Sequence, residues 1–533
     1  MDTEKEDAYH VESLDFAKIV ADGKIAADEE VALGVIASIR KYPKAVMWSV
    51  LVSMTIVMEG YDIVLVGNLF SQPAFRERYG KYYGPDLGYQ ISGPWQVGLG
   101  NASTCGTIFG AFANGYLTVR FGYRKTLLVS LFALTCFIFV PFFATKIEHL
   151  LAASILCGLP FGVFATMGPA YASEVGPVAL RGPLAVFVNF CWGAGQLISA
   201  GVLQGCEPLT TEWAYRIPFA VQWVWPIPLG LILWFAPESP WWLVEKGQYD
   251  KAEASVKRLS AKDKQDDAWQ TVAMMIHTNK TEKAQTESTS YIECFKGSDR
   301  RRTFIVMFVY AAQTLCGLAI GGNPTYFLLQ AGLDPTDGYK AGVGGFACSC
   351  VGTITAWFVM NRFGRRPILV FGLFALSAIL LIIGIVSASA HSVGASWAQG
   401  GLTFLWMYTF ATTVASITYA IIAELSAVRL RSKSVCLARI GYYVASIIIG
   451  VIMPYMINPT EGNWKGKVGF FWGGVALVLA VISFFYVPEG KGRTYEELDV
   501  MFKNKVPARK FSEYQVDVYG EEIPIAAPEE KTE

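Results

Sequence analysis

Apolar residues along this chain gather in blocks too long for the helices of a soluble core. Twelve such blocks lie near 45–68, 96–118, 126–144, 150–172, 184–204, 217–236, 303–329, 341–360, 367–388, 398–423, 434–457 and 468–487. About 20 residues at 1.5 Å rise each cross a roughly 30 Å hydrocarbon layer. Only a helix or a closed barrel satisfies its backbone there. Composition agrees, since 53% of the residues are hydrophobic and 17% charged, against about a quarter charged in soluble domains. The fold expected is therefore an all-α membrane protein with twelve transmembrane helices. Residues 1–44 are polar and the first block is too long for a signal-peptide core, so no cleaved leader is expected. Lys plus Arg and Asp plus Glu balance at 44 each, which points to no nucleic-acid partner. Most of the ten cysteines, among them Cys105, Cys136, Cys157, Cys316 and Cys436, sit inside apolar blocks and read as packing residues. Cys348 and Cys350 are the one close pair, in small-residue helix sequence. No metal site and no cofactor is expected.

The blocks repeat. Arg120-Phe121-Gly122-Tyr123-Arg124 follows the second and Arg362-Phe363-Gly364-Arg365-Arg366 the eighth, 242 residues on. Glu174 precedes Arg181 by seven after block four, and Glu424 precedes Arg431 by seven after block ten. "PESP" at 237–240 and "PEGK" at 488–491 close blocks six and twelve. Three landmarks in one order mean a six-helix unit used twice, in the same orientation because six is even. The organisation expected is a polar N-terminal tail (1–44), a six-helix bundle (45–236), a cytoplasmic linker with short helices (237–302), a second bundle (303–487) and a polar tail (488–533). A slight excess of Lys and Arg in the 2–3, 4–5, 8–9 and 10–11 loops, with Arg40, Lys41, Lys44 and Arg300–Arg302, puts both termini in the cytoplasm.

Two parallel bundles suit a carrier that closes alternately at each end. Such a machine needs a latch that holds without locking. Arg120, Arg124, Glu174, Arg181, Arg362, Arg366, Glu424 and Arg431 lie at helix ends where the glutamates can pair with the loop arginines or with Arg181 and Arg431. A half-buried ion pair costs a few kcal/mol when one partner is removed. The plainer reading, arginines as topology anchors, leaves the fixed Glu-to-Arg spacing unexplained.

Inside block one, "MEGYDIVLVG" places Glu59 and Asp62 on one helical face. An ionised carboxylate at bilayer depth costs about 2.5–3.5 kcal/mol on insertion scales, so the pair must face the bundle interior, find a partner or accept a proton. Burial and mutual repulsion favour the protonated form of any carboxyl. The four histidines, His10, His149, His277 and His391, all lie outside the deep blocks. The buried cation available is Arg439, in "CLARIGYY" of block eleven. Proton coupling through Asp62 and Glu59 with Arg439 is the leading reading, beside a fixed structural hydrogen bond and direct ligand binding by one acid.

The chain resembles the sugar porter branch of the major facilitator superfamily. "GYD", "RFGYRK", "RFGRRP", "ASEVGPVALRG", "PESPWWL" and "VPEGKGRTYEELDVMF" carry the likeness. Within that branch it is similar to fungal maltose/α-glucoside permeases, through "EGYD", "PWQVGL", "YASEV", "FAPESPWWLV", "LARI", "PYMIN" and "VPARKF". The resemblance spans roughly residues 40–515. It implies the major facilitator fold, a sugar substrate and, in fungi, a proton. Val119 and Asn361 stand where the family has an acid before the loop arginine. Ser154 stands where many members have an arginine facing the helix-one aspartate, and Thr107 where some maltose permeases have a carboxylate.

A sugar site needs amide and hydroxyl partners with aromatic platforms. Gln196, Gln313, Asn323, Tyr326, Tyr419 and Asn458 are the candidates within the spans. The resemblance puts Gln196 and Gln313 at sugar-contacting positions. Tyr419 replaces a tryptophan of hexose carriers, and Ala319 an asparagine. Asn323-Pro324 reads also as a helix break. "GVGGFA" at 342–347 lies inside a span and reads as close packing, and no GxxxxGK phosphate loop appears. The expected protein is a monomeric plasma-membrane carrier, not an enzyme, importing maltose or a related α-glucoside with a proton. A facilitator, a carrier of another sugar, or a sensor that binds without transporting are the alternatives. The 42 residues after Lys491 leave little tail for a sensor's signalling partners.

Overall fold

The structure, a computed structural model, describes residues 35–514 apart from 86, 177, 262–267, 287–290, 390–391, 427–429, 492 and 494. Among the described residues, ten helices are long and apolar enough to cross a membrane. They cover ten of the twelve apolar blocks. The second block forms one unbroken helix, Gly93–Phe121, diluted by glycines, an asparagine pair and hydroxyl residues. The seventh is divided into Gly297–Leu315, Leu318–Gly321 and Pro324–Gln330. Two local causes divide it. Gly317 has φ +109°, a left-handed conformation that side chains resist, and Pro324 starts a new helix at its first turn. A Cβ on Gly317 would stand 2.6 Å from Leu380 Cδ1, and one on Gly321 would collide with the Trp406 indole.

Prolines open other helices as well, at Pro43, Pro73, Pro94, Pro226 and Pro240, where a missing N–H costs nothing. Ser239 and Ser392 cap theirs by accepting from the N–H of Trp242 and Ala395. A two-stranded ribbon pairs Lys81–Tyr82 with Tyr89–Gln90 antiparallel.

The helices fall into two compact units. The first holds the described residues up to 285 together with Gly322–Cys350 and Gly450–Lys465; the second holds Thr286–Gly321, Val351–Ile449 and 466 onward. In the first, Gly93–Phe121 and Ile147–Val175 lie backbone to backbone. A Cβ on Gly162 would stand 2.6 Å from the Ala111 nitrogen and one on Gly158 2.9 Å from the Gly106 Cα. Without a hydrophobic drive between helices in lipid, such close approach is what holds them. Leu127, Leu131, Leu134, Phe161, Phe164 and Met167 fill the adjoining core. In the second unit, Arg365–Ser389 packs along Val468–Tyr486, with Ser377 donating to the Gly473 carbonyl at 2.8 Å. Large apolar side chains such as Phe109, Phe132, Phe358 and Phe371 point outward, as a lipid-facing surface requires.

Between the sixth and seventh blocks the polar stretch folds into Pro240–Glu245, Tyr249–Leu259 and Ala268–Thr286. These helices share a small core of Leu243, Val244, Val256, Val272 and Ile276.

The first unit also contains ends of helices from the chain's second half. Gln72 accepts from the Tyr339 hydroxyl at 3.1 Å and donates to the Cys206 carbonyl at 3.2 Å. Gln96 donates to the Tyr326 hydroxyl at 3.2 Å, and Asn458 donates to the Ile91 carbonyl at 2.9 Å. These ties sit at the ends of Gly93–Phe121 and Pro335–Arg362 opposite to Gly122 and Gly364.

Candidate functional site

The repeated loops are held by carboxylates that cap helices. Glu238 accepts from the backbone N–H of Tyr123 at 2.8 Å and of Arg124 at 3.3 Å. Glu489 accepts from the N–H of Arg365 at 3.0 Å and of Arg366 at 3.1 Å. Each loop glycine makes the room, because a Cβ on Gly122 would stand 2.7 Å from Glu238 Oε2 and one on Gly364 would collide with Glu489. The acids of "PESP" and "PEGK" thus satisfy orphan donors and favour the positive helix ends. This explains glycine in both loops, a requirement invisible without the partners in view.

The two glutamates of the repeated spacing take different partners. Glu424 pairs with Arg365 at 2.8 Å. Glu174 instead accepts from the Tyr123 and Ser239 hydroxyls, each at 2.5 Å. Tyr123 and Arg365 are the same position of the repeated loop, so one half has an ion pair where the other has a phenol. Burial raises the carboxyls of Glu174, Glu238 and Glu424 above their ordinary values. Arg120 donates to the Tyr116 hydroxyl at 2.7 Å and is exposed; the Arg124 side chain lies over the Trp234 ring. Arg362 offers its carbonyl to Lys491, and Arg366 donates to the Phe484 carbonyl at 2.8 Å. The side chains of Arg181 and Arg431 lie outside the described residues.

In the first span, Asp62 is buried, its side chain turned from solvent toward two other helices. Oδ1 accepts from Gln222 Nε2 at 2.9 Å and Oδ2 from Ser103 Oγ at 3.4 Å. Asp62 also lines a small pocket with Phe75, Leu150, Ser154, Cys157 and Phe219. Ser154 gives its hydroxyl to the Leu150 carbonyl at 3.0 Å, and Thr107 gives its own to the Ser103 carbonyl at 2.8 Å. Glu59 is buried one turn before Asp62. Arg439 belongs to the second unit, where it lies over the Tyr310 ring at 5.2 Å and the Tyr443 ring at 6.0 Å.

The sugar candidates divide between the units. In the second, Gln313 is buried, with Nε2 3.4 Å from the Ala415 carbonyl of a π-helical turn, Ala411–Ala415. Its Oε1 is buried and meets no donor among the described residues. Tyr310 lies one turn before Gln313, edge-on to Tyr419 at 5.7 Å and tilted on Tyr442 at 5.1 Å. An amide acceptor beside three aromatic rings is the chemistry a carbohydrate requires. In the first unit, Asn323 abuts Gly67 and its Oδ1 is likewise without a donor. Tyr326 is buried, edge-on to Phe70 at 6.4 Å and bonded to Gln96. Gln196 is half-buried on Val178–Cys206. Asn458 has its amide taken up by Ile91 and by its own turn, accepting from the N–H and hydroxyl of Thr460 at 2.9 Å.

Sequence reasoning passed over Gln222, Ser103, Gln96, Tyr310 and Tyr442. Gln222 did carry a signal, as a lone amide in the apolar stretch "RIPFAVQWVWP".

Three comparisons place this geometry among known proteins. The family described as "Sugar (and other) transporter" matches residues 48–502. The maltose permease MAL31 of Saccharomyces cerevisiae is 34% identical over 526 residues, covering 96% of this chain and 85% of the permease. The general alpha-glucoside permease of the same yeast is 34% identical over 505 residues, covering 94% and 82%. Among solved structures, the xylose transporter XylE from E. coli in a partially occluded inward open conformation superposes with a TM-score of 0.70. At 16% identity, over 85% of this chain and all of XylE, that likeness speaks for the fold. With its twelve apolar blocks, doubled loop caps and full-length permease relatives, this chain belongs to the sugar transporter family of the major facilitator fold.

Proposed function

We propose that this carrier imports maltose or a related α-glucoside by alternating access, together with a proton. Asp62 is the observation that carries the reading. It is a buried acid in the first span, held by a neutral amide and a hydroxyl, and such a group can take up and release a proton at modest cost. Support for the substrate class comes from the two yeast permeases, named for maltose and alpha-glucosides. Gln313, with Tyr310 and Tyr419, contacts sugar in the second unit; Gln196, Asn323 and Tyr326 are the sugar-contacting candidates of the first. Asp62 and Glu59 carry the proton in the first unit, and Arg439 is the proton-coupling cation of the second. The eight gating residues and the caps at Glu238 and Glu489 hold the cytoplasmic ends. Five segments serve this machine, with bounds at 44, 236, 302 and 487. The protein works as a monomer in the plasma membrane with both termini in the cytoplasm.

A proton brings about 2.3 kcal/mol per 100 mV and about 1.36 kcal/mol per pH unit. Together these set an accumulation limit of roughly several hundredfold for one proton per sugar at 100 mV and one unit.

Ser154 favours a second reading, a facilitator, because the family's arginine opposite Asp62 is missing. Uptake of a labelled sugar panel, in cells lacking their own carriers and with external pH recorded, separates the two. External alkalinisation on adding one α-glucoside supports symport. Uptake indifferent to a protonophore leaves a facilitator.

A further inference from the structure

Asp62 is served from two helices that the first span packs against, and by neutral groups on both. Gln222 begins the 3-10 turn Gln222–Val224, which lies between Trp213–Val221 and Pro226–Leu233. Pro226 lacks the N–H that a continuous helix would use, so the sixth span loosens here and turns the amide toward the first. Nε2 reaches Asp62 Oδ1 at 2.9 Å, while Ser103 of Gly93–Phe121 reaches Oδ2 at 3.4 Å.

The two protonation states of a carboxyl ask for different partners. The ionised form accepts only; the protonated form must also donate its O–H. Arginine or lysine can serve the ionised form alone, since neither has an acceptor. A carboxamide carries a donor and an acceptor on one terminal torsion, whose two orientations are similar in energy. Nε2 donates to ionised Asp62; after a half-turn, Oε1 accepts from protonated Asp62. The Ser103 hydroxyl can likewise donate or accept. The proton then arrives and leaves with the site's hydrogen bonding kept complete, where a fixed cation would oppose loading.

We propose that Gln222 is the positioning residue for proton exchange at Asp62, an amide that serves both protonation states in place of a cation. The inference rests on the symport reading. Other titratable groups surround Asp62. Glu59 lies one turn before it. Tyr61, next in sequence, gives its hydroxyl to the Pro218 carbonyl at 2.8 Å. Cys157 lines the same pocket from Ile147–Val175. On the Val178–Cys206 side, Cys191 sits with Ile56 and Val57. Each of these stays in place in the variants below.

The test measures concentrative uptake of the transported α-glucoside against external pH, each profile normalised to its own maximum and to surface abundance. Gln222→Leu removes the donor to the ionised form. The alkaline limb should move up by about one pH unit, the shift that loss of one hydrogen bond to a charged group gives. Gln222→Glu should spread the profile into two steps, since two carboxyls then share the proton. Ser103→Ala, a smaller change, should shift the limb in the same direction by less, and carries the test should Gln222→Leu fail to reach the membrane. Superimposable wild-type and Gln222→Leu profiles overturn the role of Gln222. So does a Ser103→Ala profile identical to wild type when Gln222→Leu is not made. A wild-type profile flat in pH and indifferent to protonophore overturns the symport reading itself.

Discussion

Asp62 and Gln313 are both buried polar side chains, and their surroundings give them opposite tasks. Asp62 has both oxygens occupied by neutral donors, so what changes in a cycle is its proton. Gln313 keeps an acceptor without a donor among the described residues, so what changes there is the ligand it meets. Asp62→Asn should reduce the steady-state accumulation ratio from as much as several hundredfold to one, because an amide carries no proton. Measured inside-to-outside sugar ratios check this; a ratio that stays high removes Asp62 from coupling. Gln313→Ala should lose about 1 kcal/mol of sugar binding, raising apparent KM roughly fivefold at unchanged surface abundance. Unaltered kinetics would take Gln313 out of the site. At this scale the sequence told half the story. An acid inside an apolar run is conspicuous because burial there is costly, and so Glu59 and Asp62 stood out. The partner of Asp62 could be seen as a lone amide but not assigned, since Gln222 lies 160 residues away.

Helices in this protein are fixed by two devices, close backbone contact and carboxylate caps. Gly158 and Gly162 let the fourth span lie directly on the second. Gly162→Val puts a Cβ and two methyl groups into that contact and should cost about 1–3 kcal/mol, read as a lower Tm of the detergent-purified protein. Gly201, where a Cβ meets nothing within 4 Å, is the control position and should tolerate alanine. The caps add a pH signature. Burial raises the Glu238 carboxyl, outweighing the backbone N–H groups and Arg124 that lower it. A carboxyl raised in the folded state binds its proton more tightly there than in the unfolded chain. Its share of stability is present below the ordinary value of about 4.3 and fades as pH climbs through the raised one. Glu238→Gln, neutral throughout and still able to accept one N–H, should flatten the fall of Tm with rising pH. A profile parallel to wild type would show that Glu238 does not titrate in this range. Element positions were largely legible, because spans are long and apolar. The seventh was the exception. Its proline break at Asn323 could be read from sequence, whereas the left-handed turn at Gly317, closed in by Leu380, could not.

For the whole molecule, the doubled landmarks set the architecture and the first unit shows how its halves are tied. Tyr339, Tyr326 and Asn458 reach Gln72, Gln96 and the Ile91 carbonyl through uncharged hydrogen bonds. Neutral ties of about 1 kcal/mol each hold without locking, as a carrier that must reopen requires. Tyr339→Phe removes one of them. The buried Cys206, whose carbonyl Gln72 also binds, should then react roughly fivefold faster with a water-soluble thiol reagent added to the detergent-purified protein. An unchanged rate would mean that this tie does not bear on closure. The sequence by itself determined that the chain spans a membrane with helices, that one six-helix unit is used twice, and that acids lie in the first span. All three are set by short-range periodicity and by the cost of burying backbone and charge in hydrocarbon. Only the tertiary structure decided which groups those acids meet, that Glu174 takes hydroxyls where Glu424 takes an arginine, and why each loop needs glycine. Those outcomes depend on side chains more than 40 positions apart in sequence being brought within 3.5 Å, a distance that no local pattern encodes.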